Sequence, residues 1–163
     1  MKRLPIGIQN FKEIITDGYV YADKTEYIYN LVKGAKYYFL SRPRRFGKSL
    51  LTDTIAEVFK GSKELFKDLW IYDSGYAFEK HPVVRLDMSN ISNDTPDVLR
   101  TSLASRLRKQ LHEEGIDNAD EVPSDMLMGL IEGLHKKYGQ RVVVLIDEYD
   151  KPIIDHIHDI PAA

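Results

Sequence analysis

Two short stretches of this sequence carry the residue types that grip phosphate and a divalent cation. The first runs Ser41-Arg42-Pro43-Arg44-Arg45-Phe46-Gly47-Lys48-Ser49-Leu50 and contains a glycine, a lysine and a hydroxyl side chain in direct succession. Glycine lets backbone amides approach an anion closely. The lysine ammonium is a compact charge for phosphate oxygens, and a serine hydroxyl is a hard oxygen suited to Mg²⁺. A helix opening at Lys48 would add unpaired N–H groups and the positive end of its dipole. The second stretch is Ile146-Asp147-Glu148-Tyr149-Asp150. An aspartate followed at once by a glutamate offers one carboxylate to a cation and another to orient or deprotonate water. Between them, the stretches hold the parts that phosphoryl transfer to water requires.

Gly47-Lys48-Ser49 matches the end of the phosphate-loop pattern G-x-x-x-x-G-K-[ST], the Walker A motif. Arg42 stands where the first glycine of that pattern falls, so the loop is a degenerate version. Residues Arg42 to Leu50 are expected along a nucleotide's phosphates, with Lys48 at the β and γ groups and Ser49 in the Mg²⁺ shell. Arg42, Arg44, Arg45 and Lys48 put four positive charges into seven residues. These charges read as extra phosphate contacts, as a grip on a partner, or as a solvated loop pairing with acids elsewhere. Phe46 reads as a packing residue rather than a ring that stacks on a base.

Asp147 is expected to hold Mg²⁺ through water, and Glu148 to act as the general base on the attacking water. The hydrophobic run before them makes this a Walker B arrangement; the alternative for Asp147 is a turn or helix-cap acid. Asp150 either supports the site from behind or caps the turn before Pro152. Asp87 reads as a strand-end turn rather than a third acid of the site. Among the five histidines no metal-ligand spacing occurs, and His156 and His158 read as surface.

The elements that must position these residues follow from periodicity. Tyr37-Tyr38-Phe39-Leu40 has strand character, and Leu51, Ile55, Val58 and Phe59 then recur at helical spacing up to Gly61. The phosphate loop therefore lies at a strand-to-helix junction. Val142 to Ile146 is apolar without alternation, which predicts a parallel strand buried on both faces, and Asp147 lies at its C-terminal end, where ligands gather in open α/β sheets. Val83 to Leu86 is a further strand. Thr95 and Pro96 read as N-cap and first residue of a helix bearing Leu99, Leu103, Leu107 and Leu111. Ser124 is a candidate cap for a helix with the stripe Leu127, Leu130, Ile131, Leu134 and Tyr138. Upstream, Phe11, Ile14 and Ile15 fit one short helix. Ile28, Leu31 and Val32 fit another, opened by a capping box of Asp23 and Glu26 and stopped at Gly34.

Strands alternating with helices predict an α/β protein with right-handed crossovers. The expected class is the P-loop three-layer α/β/α fold with a mostly parallel sheet, incomplete at its C-terminal side. Residues 1–35 form an N-terminal helical extension and 36–163 the core. With 163 residues, 43% of them hydrophobic, a buried core is attainable. The net charge of −2 argues against wholesale nucleic-acid binding. The absence of cysteine excludes disulfides and thiolate sites. No apolar run is long enough to span a bilayer, and a cytoplasmic location is expected.

With these motifs in place, the sequence resembles the prokaryotic AAA-ATPase-like proteins, which often carry a C-terminal nuclease domain of the PD-(D/E)XK type. The resemblance runs through Leu4-Pro5-Ile6-Gly7, Tyr21-Ala22-Asp23-Lys24-Thr25, Phe39 to Leu50, Val84-Arg85-Leu86-Asp87 and Ile146 to Pro152. It implies ATP and Mg²⁺ as ligands, hydrolysis by Glu148 and Lys48, and a nuclease domain or DNA as partner in a longer protein, with oligomerisation possible. It makes Arg42 a normal residue of the loop, and it implies that Asp23, Lys24 and Thr25 lie near the nucleotide. The residues after Tyr149 are too few for the central strand, sensor, arginine finger and lid of such ATPases, so weak binding and little turnover are expected from this chain alone. Other readings are a nucleotide-dependent regulatory or scaffold domain without turnover, a nucleic-acid module using the arginine-rich loop, and, more remotely, a kinase.

Overall fold

The computed structural model describes residues 2–41 and 46–157. The expectations placed on Arg42, Pro43, Arg44, Arg45 and His158 lie outside the described residues. The chain forms two compact units, Met1–Lys80 and His81–Ala163.

In the first unit, helix α1 (Phe11–Thr16) starts where the Asn10 side chain accepts a hydrogen bond from the Glu13 amide, and it buries Phe11 and Ile14. Helix α2 (Thr25–Lys33) buries Thr25 and Ile28. Helix α3 (Lys48–Phe59) buries Asp53, Thr54, Ile55, Ala56 and Val58. Two 3-10 turns, Lys63–Phe66 and Trp70–Asp73, bring Phe66 and Ile71 inward. The core combines the aliphatic side chains Ile14, Ile28, Ile55, Val58 and Ile71 with Phe11, Phe66 and Phe78. Rings contact one another in sequence from Tyr21 through Phe11, Phe66, Phe78, Tyr76 and Tyr29 to Trp70, at centroid separations of 4.9–6.4 Å. Edge-to-face and offset pairs of this kind add to the area term of burial.

Buried polar groups tie the helices of this unit. The Asp53 carboxylate on α3 accepts from the Phe11 amide at 2.6 Å, satisfying an orphan donor at the start of α1. Asp23 accepts from the Thr25 amide and hydroxyl through one oxygen, at 2.8 and 2.7 Å, and from the Trp70 amide through the other at 2.7 Å. The Thr25 hydroxyl accepts in turn from the Ile71 amide at 3.0 Å. The capping box expected of Asp23 and Glu26 does not form. Lys24 occupies the N-cap without a side-chain cap bond, because both oxygens of Asp23 serve this joint to the 70–71 turn.

The strand expected at Tyr37–Leu40 is absent. These residues are irregular and expose Tyr37 by 80% and Phe39 by 71%. A strand requires a neighbour to complete its hydrogen-bond ladder, and this segment belongs to no strand ladder among the described residues. The helix expected after the phosphate loop does form, and it stops just before Gly61.

The second unit is built from strand β1 (Val83–Asp87), helices α4 (Pro96–Glu114) and α5 (Pro123–Tyr138), strand β2 (Val143–Asp147) and the short helix α6 (Lys151–Asp155). The strands are parallel, in register from Val83 opposite Val143 to Asp87 opposite Asp147. The protein is thus of mixed helix and strand type with a small parallel sheet of two strands. Val84 and Leu86 pack against Ala104, Leu107 and Leu111 of α4 and Met126, Leu130 and Leu134 of α5. These spacings are the one-face periods of a helix. Thr95 caps α4 as expected, its hydroxyl accepting from the Val98 amide at 3.2 Å. Helix α5 begins two residues earlier than a Ser124 cap would allow. Pro123 takes the first helical position and Val122 the cap, since proline lacks the N–H that goes unpaired there.

Glu114, the last residue of α4, meets Lys137 at 3.1 Å and Tyr138 at 3.0 Å near the end of α5. The two helices therefore end together, and the segment 115–122 runs back along α5. The 16 residues of α5 measure about 24 Å, within reach of an extended chain of that segment's length, about 26 Å. Gly129 and Gly133 make room for it. A Cβ on Gly129 would stand 2.1 Å from Asn118 Nδ2, and one on Gly133 would stand 2.7 Å from Ile116 Cγ2.

β2 departs from expectation in its burial. None of its residues is fully buried and Ile146 is 49% exposed. The apolar run predicts cover on both faces, but among the described residues the strand has one pairing neighbour, β1.

Candidate functional site: a phosphate-loop half and a carboxylate half

Gly47 opens α3 in the left-handed region, at φ 74 and ψ 29. Other residues pay about 1–2 kcal/mol there, so the glycine is required by its backbone. Among the described residues no atom beyond its chain neighbours lies within 4 Å of where its Cβ would stand. The Gly47 carbonyl accepts from the Leu51 amide at 3.0 Å, closing the first helical turn. The N-cap residue, Gly47, has no side chain with which to cap the helix, and a helix start of this kind suits an anion. Lys48, Ser49 and Leu50 are the first residues of α3 and are half-buried. Among the described residues the Ser49 hydroxyl has no hydrogen-bond partner. Phe46, expected to pack, is 64% exposed.

In the other unit, Asp147 is the last residue of β2 and is half-buried. One of its oxygens accepts from the Glu148 amide at 3.0 Å. The other makes no hydrogen bond among the described residues. Glu148 holds φ at 50, the left-handed region, without being a glycine. Such a conformation survives only where its surroundings fix it, and it is concentrated at functional positions. Nothing in the local sequence signals it. Asp150 caps no hydrogen bond with its side chain and occupies the N-cap of α6. Lys151 pairs with Asp155, whose carboxyl lies below its ordinary value through the hydrogen bond from Lys151 and, next, that from Asn93.

Asp87 stands opposite Asp147 in register. Its carboxylate accepts from the Ser89 amide at 2.9 Å, the Ser89 hydroxyl at 2.6 Å and Asn90 Nδ2 at 2.5 Å. Those bonds organise the 3-10 turn Met88–Asn90, in line with the strand-end reading. His156 is half-buried rather than on the surface, its Nε2 donating to the Asn93 carbonyl. Asp23 and Thr25 are engaged in the joint to residues 70 and 71.

Among the described residues no group of three or more potential ligands could hold a metal ion by itself. Ser49 and Asp147 each offer a hard oxygen donor of the kind Mg²⁺ takes. A cavity of about 590 Å³ lies in the second unit beside α5, walled by Asp117, Asp120, Asp125 and Glu132, with Lys136 among its lining residues. Its acidic wall repels phosphate, and it contains none of the motif residues. Among the described residues no helix is long and apolar enough to cross a membrane.

Three comparisons with known proteins bear on these halves. A family model described as "Predicted AAA-ATPase" matches residues 5–163. A protein of Azotobacter chroococcum mcd 1, described as "Uncharacterized protein in vnfD 5'region", is 42% identical over 158 residues. That match covers 96% of this chain and 30% of the relative, so the chain spans less than a third of the relative's length. No solved structure matches. A family model covering nearly the whole chain, on a sequence whose glycine-lysine-serine run opens a helix and whose Asp-Glu pair closes a parallel strand, gives the conclusion that the chain belongs to the AAA-ATPase-like family.

Proposed function

We propose that this chain is the nucleotide-binding part of an ATPase, holding Mg²⁺-ATP on the loop that opens α3 and using Glu148 to deprotonate water. The observation that carries the reading is Gly47, left-handed at the start of a helix whose first residues are Lys48 and Ser49. That combination presents amides, an ammonium and a hydroxyl to one anion. In this reading Lys48 neutralises charge on the β and γ phosphates, and residues 42–50 follow the phosphate chain. Ser49 and Asp147 hold the Mg²⁺, Asp147 through water. The ion, when bound, supplies charge neutralisation at the phosphate oxygens. Glu148 takes the proton of the attacking water. The fold that accompanies this function is the three-layer P-loop architecture, with β1 and β2 as two of its strands. A nuclease-type domain or DNA is the partner that the resemblance implies.

The test is titration with a fluorescent ATP analogue in Mg²⁺, alongside a phosphate-release assay. Lys48→Ala is expected to weaken binding by tenfold or more, about 1.4 kcal/mol or above. Glu148→Gln is expected to keep binding and to lower turnover by about 10²–10⁴-fold, the usual worth of a general base. Unchanged affinity in Lys48→Ala overturns the phosphate-loop reading. Unchanged phosphate release in Glu148→Gln removes Glu148 as the base, and nucleotide binding with no phosphate release in any of the proteins leaves a nucleotide-dependent scaffold in place of an ATPase.

A further inference from the structure

Glu148 carries a backbone conformation that a non-glycine residue does not hold unaided, and the bonds around it form one continuous chain. Its own amide donates to Asp147, and its carbonyl accepts from the Lys151 amide at 3.0 Å, where α6 begins. The far end of α6 is tied to Asn93, some sixty positions earlier. Asn93 Nδ2 donates to the Asp155 carboxylate at 3.0 Å, and the Asn93 carbonyl accepts from His156 Nε2. Asn93 is buried, with 9% of its surface exposed. It follows the 3-10 turn Met88–Asn90, which packs on α6 and on β2. That turn is organised by Asp87, the register partner of Asp147. The segment bearing Glu148 is therefore held at its start by the Asp147 carboxylate and at its end by Asn93.

We propose that Asn93 is a positioning residue for hydrolysis: by clamping Asp155 and His156 it fixes α6, and through α6 the left-handed backbone that aims the Glu148 carboxylate. The proposal rests on the reading of Glu148 as general base. It separates two properties that a merely structural residue would move together. Nucleotide affinity is set by the loop at Gly47–Ser49 and stays; turnover depends on the angle at Glu148 and falls. The clamp needs one donor and one acceptor facing each other, and nothing requires the donor to sit on residue 93.

That symmetry supplies the experiment. In the 163-residue protein, Asn93→Asp sets a carboxylate against Asp155 and breaks the side-chain bond of the clamp, leaving only the His156 bond to the main-chain carbonyl of residue 93. The double variant Asn93→Asp with Asp155→Asn exchanges donor and acceptor and closes it again. Phosphate release is expected to fall about tenfold in Asn93→Asp, within the range over which misplaced catalytic groups lose rate, with the affinity for the fluorescent ATP analogue unchanged. The double variant is expected to recover most of that loss. A single variant that loses binding and turnover in parallel, or a double variant with no recovery, overturns the proposal. Amide hydrogen exchange across residues 148–156 makes the test independent of catalysis. Where this chain alone turns over too little ATP to read, faster exchange in Asn93→Asp and restored protection in the double variant still report the clamp. Exchange that is the same in all three proteins removes the clamp altogether.

Discussion

At the residue scale, two backbone angles separate the roles of Gly47 and Glu148. Both lie in the left-handed region, at φ 74 and φ 50, but one residue is built for it and the other is not. Replacing Glu148 by glycine and by alanine removes the carboxylate in both cases and differs only in the backbone. The glycine variant is expected to be the more stable of the two by about 1 kcal/mol, read from urea melts of the pair, while both lose phosphate release. Equal melts would mean that no strain resides at position 148. The types and spacing of Gly47, Lys48, Ser49, Asp147 and Glu148 were legible from the sequence because each motif is contiguous. Asn93, Asp155 and His156 were not, since their partnership joins positions 62 and 63 apart and no local pattern announces it.

Among the elements, periodicity served where packing is local and failed where it depends on a neighbour. The stripes Leu107 with Leu111 and Leu130 with Leu134 carry α4 and α5 into the core as their spacing predicts. Tyr37–Leu40 has equal strand character and forms none, because a ladder needs a second chain segment beside it. Gly129 and Gly133 illustrate the same limit: their spacing is visible, but its use depends on where residues 115–122 run. Gly133→Ala should destabilise the protein by about 1–3 kcal/mol, outweighing the roughly 1 kcal/mol gained in helix propensity. Its Cβ would meet three atoms of Ile116 within 3.1 Å, whereas Gly129→Ala meets chiefly the movable amide end of Asn118 and should cost less. Chemical denaturation ranks the two. Helix α6 adds a dependence on pH. The Asp155 carboxyl is depressed by its bond from Lys151 and then by Asn93, so its contribution is present above the ordinary carboxylate range and lost as pH falls through the folded value. Amide protection in α6 should hold near neutrality and drop in acid, and Asp155→Asn should flatten that profile.

At the scale of the molecule, each unit has its own core, one threaded by a series of aromatic rings and one aliphatic. Leu107, 1% exposed and central to the aliphatic cluster, should lose about 2–5 kcal/mol on truncation to alanine, measured as the shift in denaturation midpoint at constant slope. The series of rings has a different consequence. The chain contains one tryptophan. Trp70 sits at the end of the ring series, 5.3 Å from Tyr29, with its amide held by Asp23, and it is 44% exposed. Its emission is therefore a native optical probe of the contact between residues 23–25 and 70–71, readable without any label. A red shift on Asp23→Ala would mark that contact letting go, and a shift on adding nucleotide to the wild-type chain would show that the contact senses the ligand.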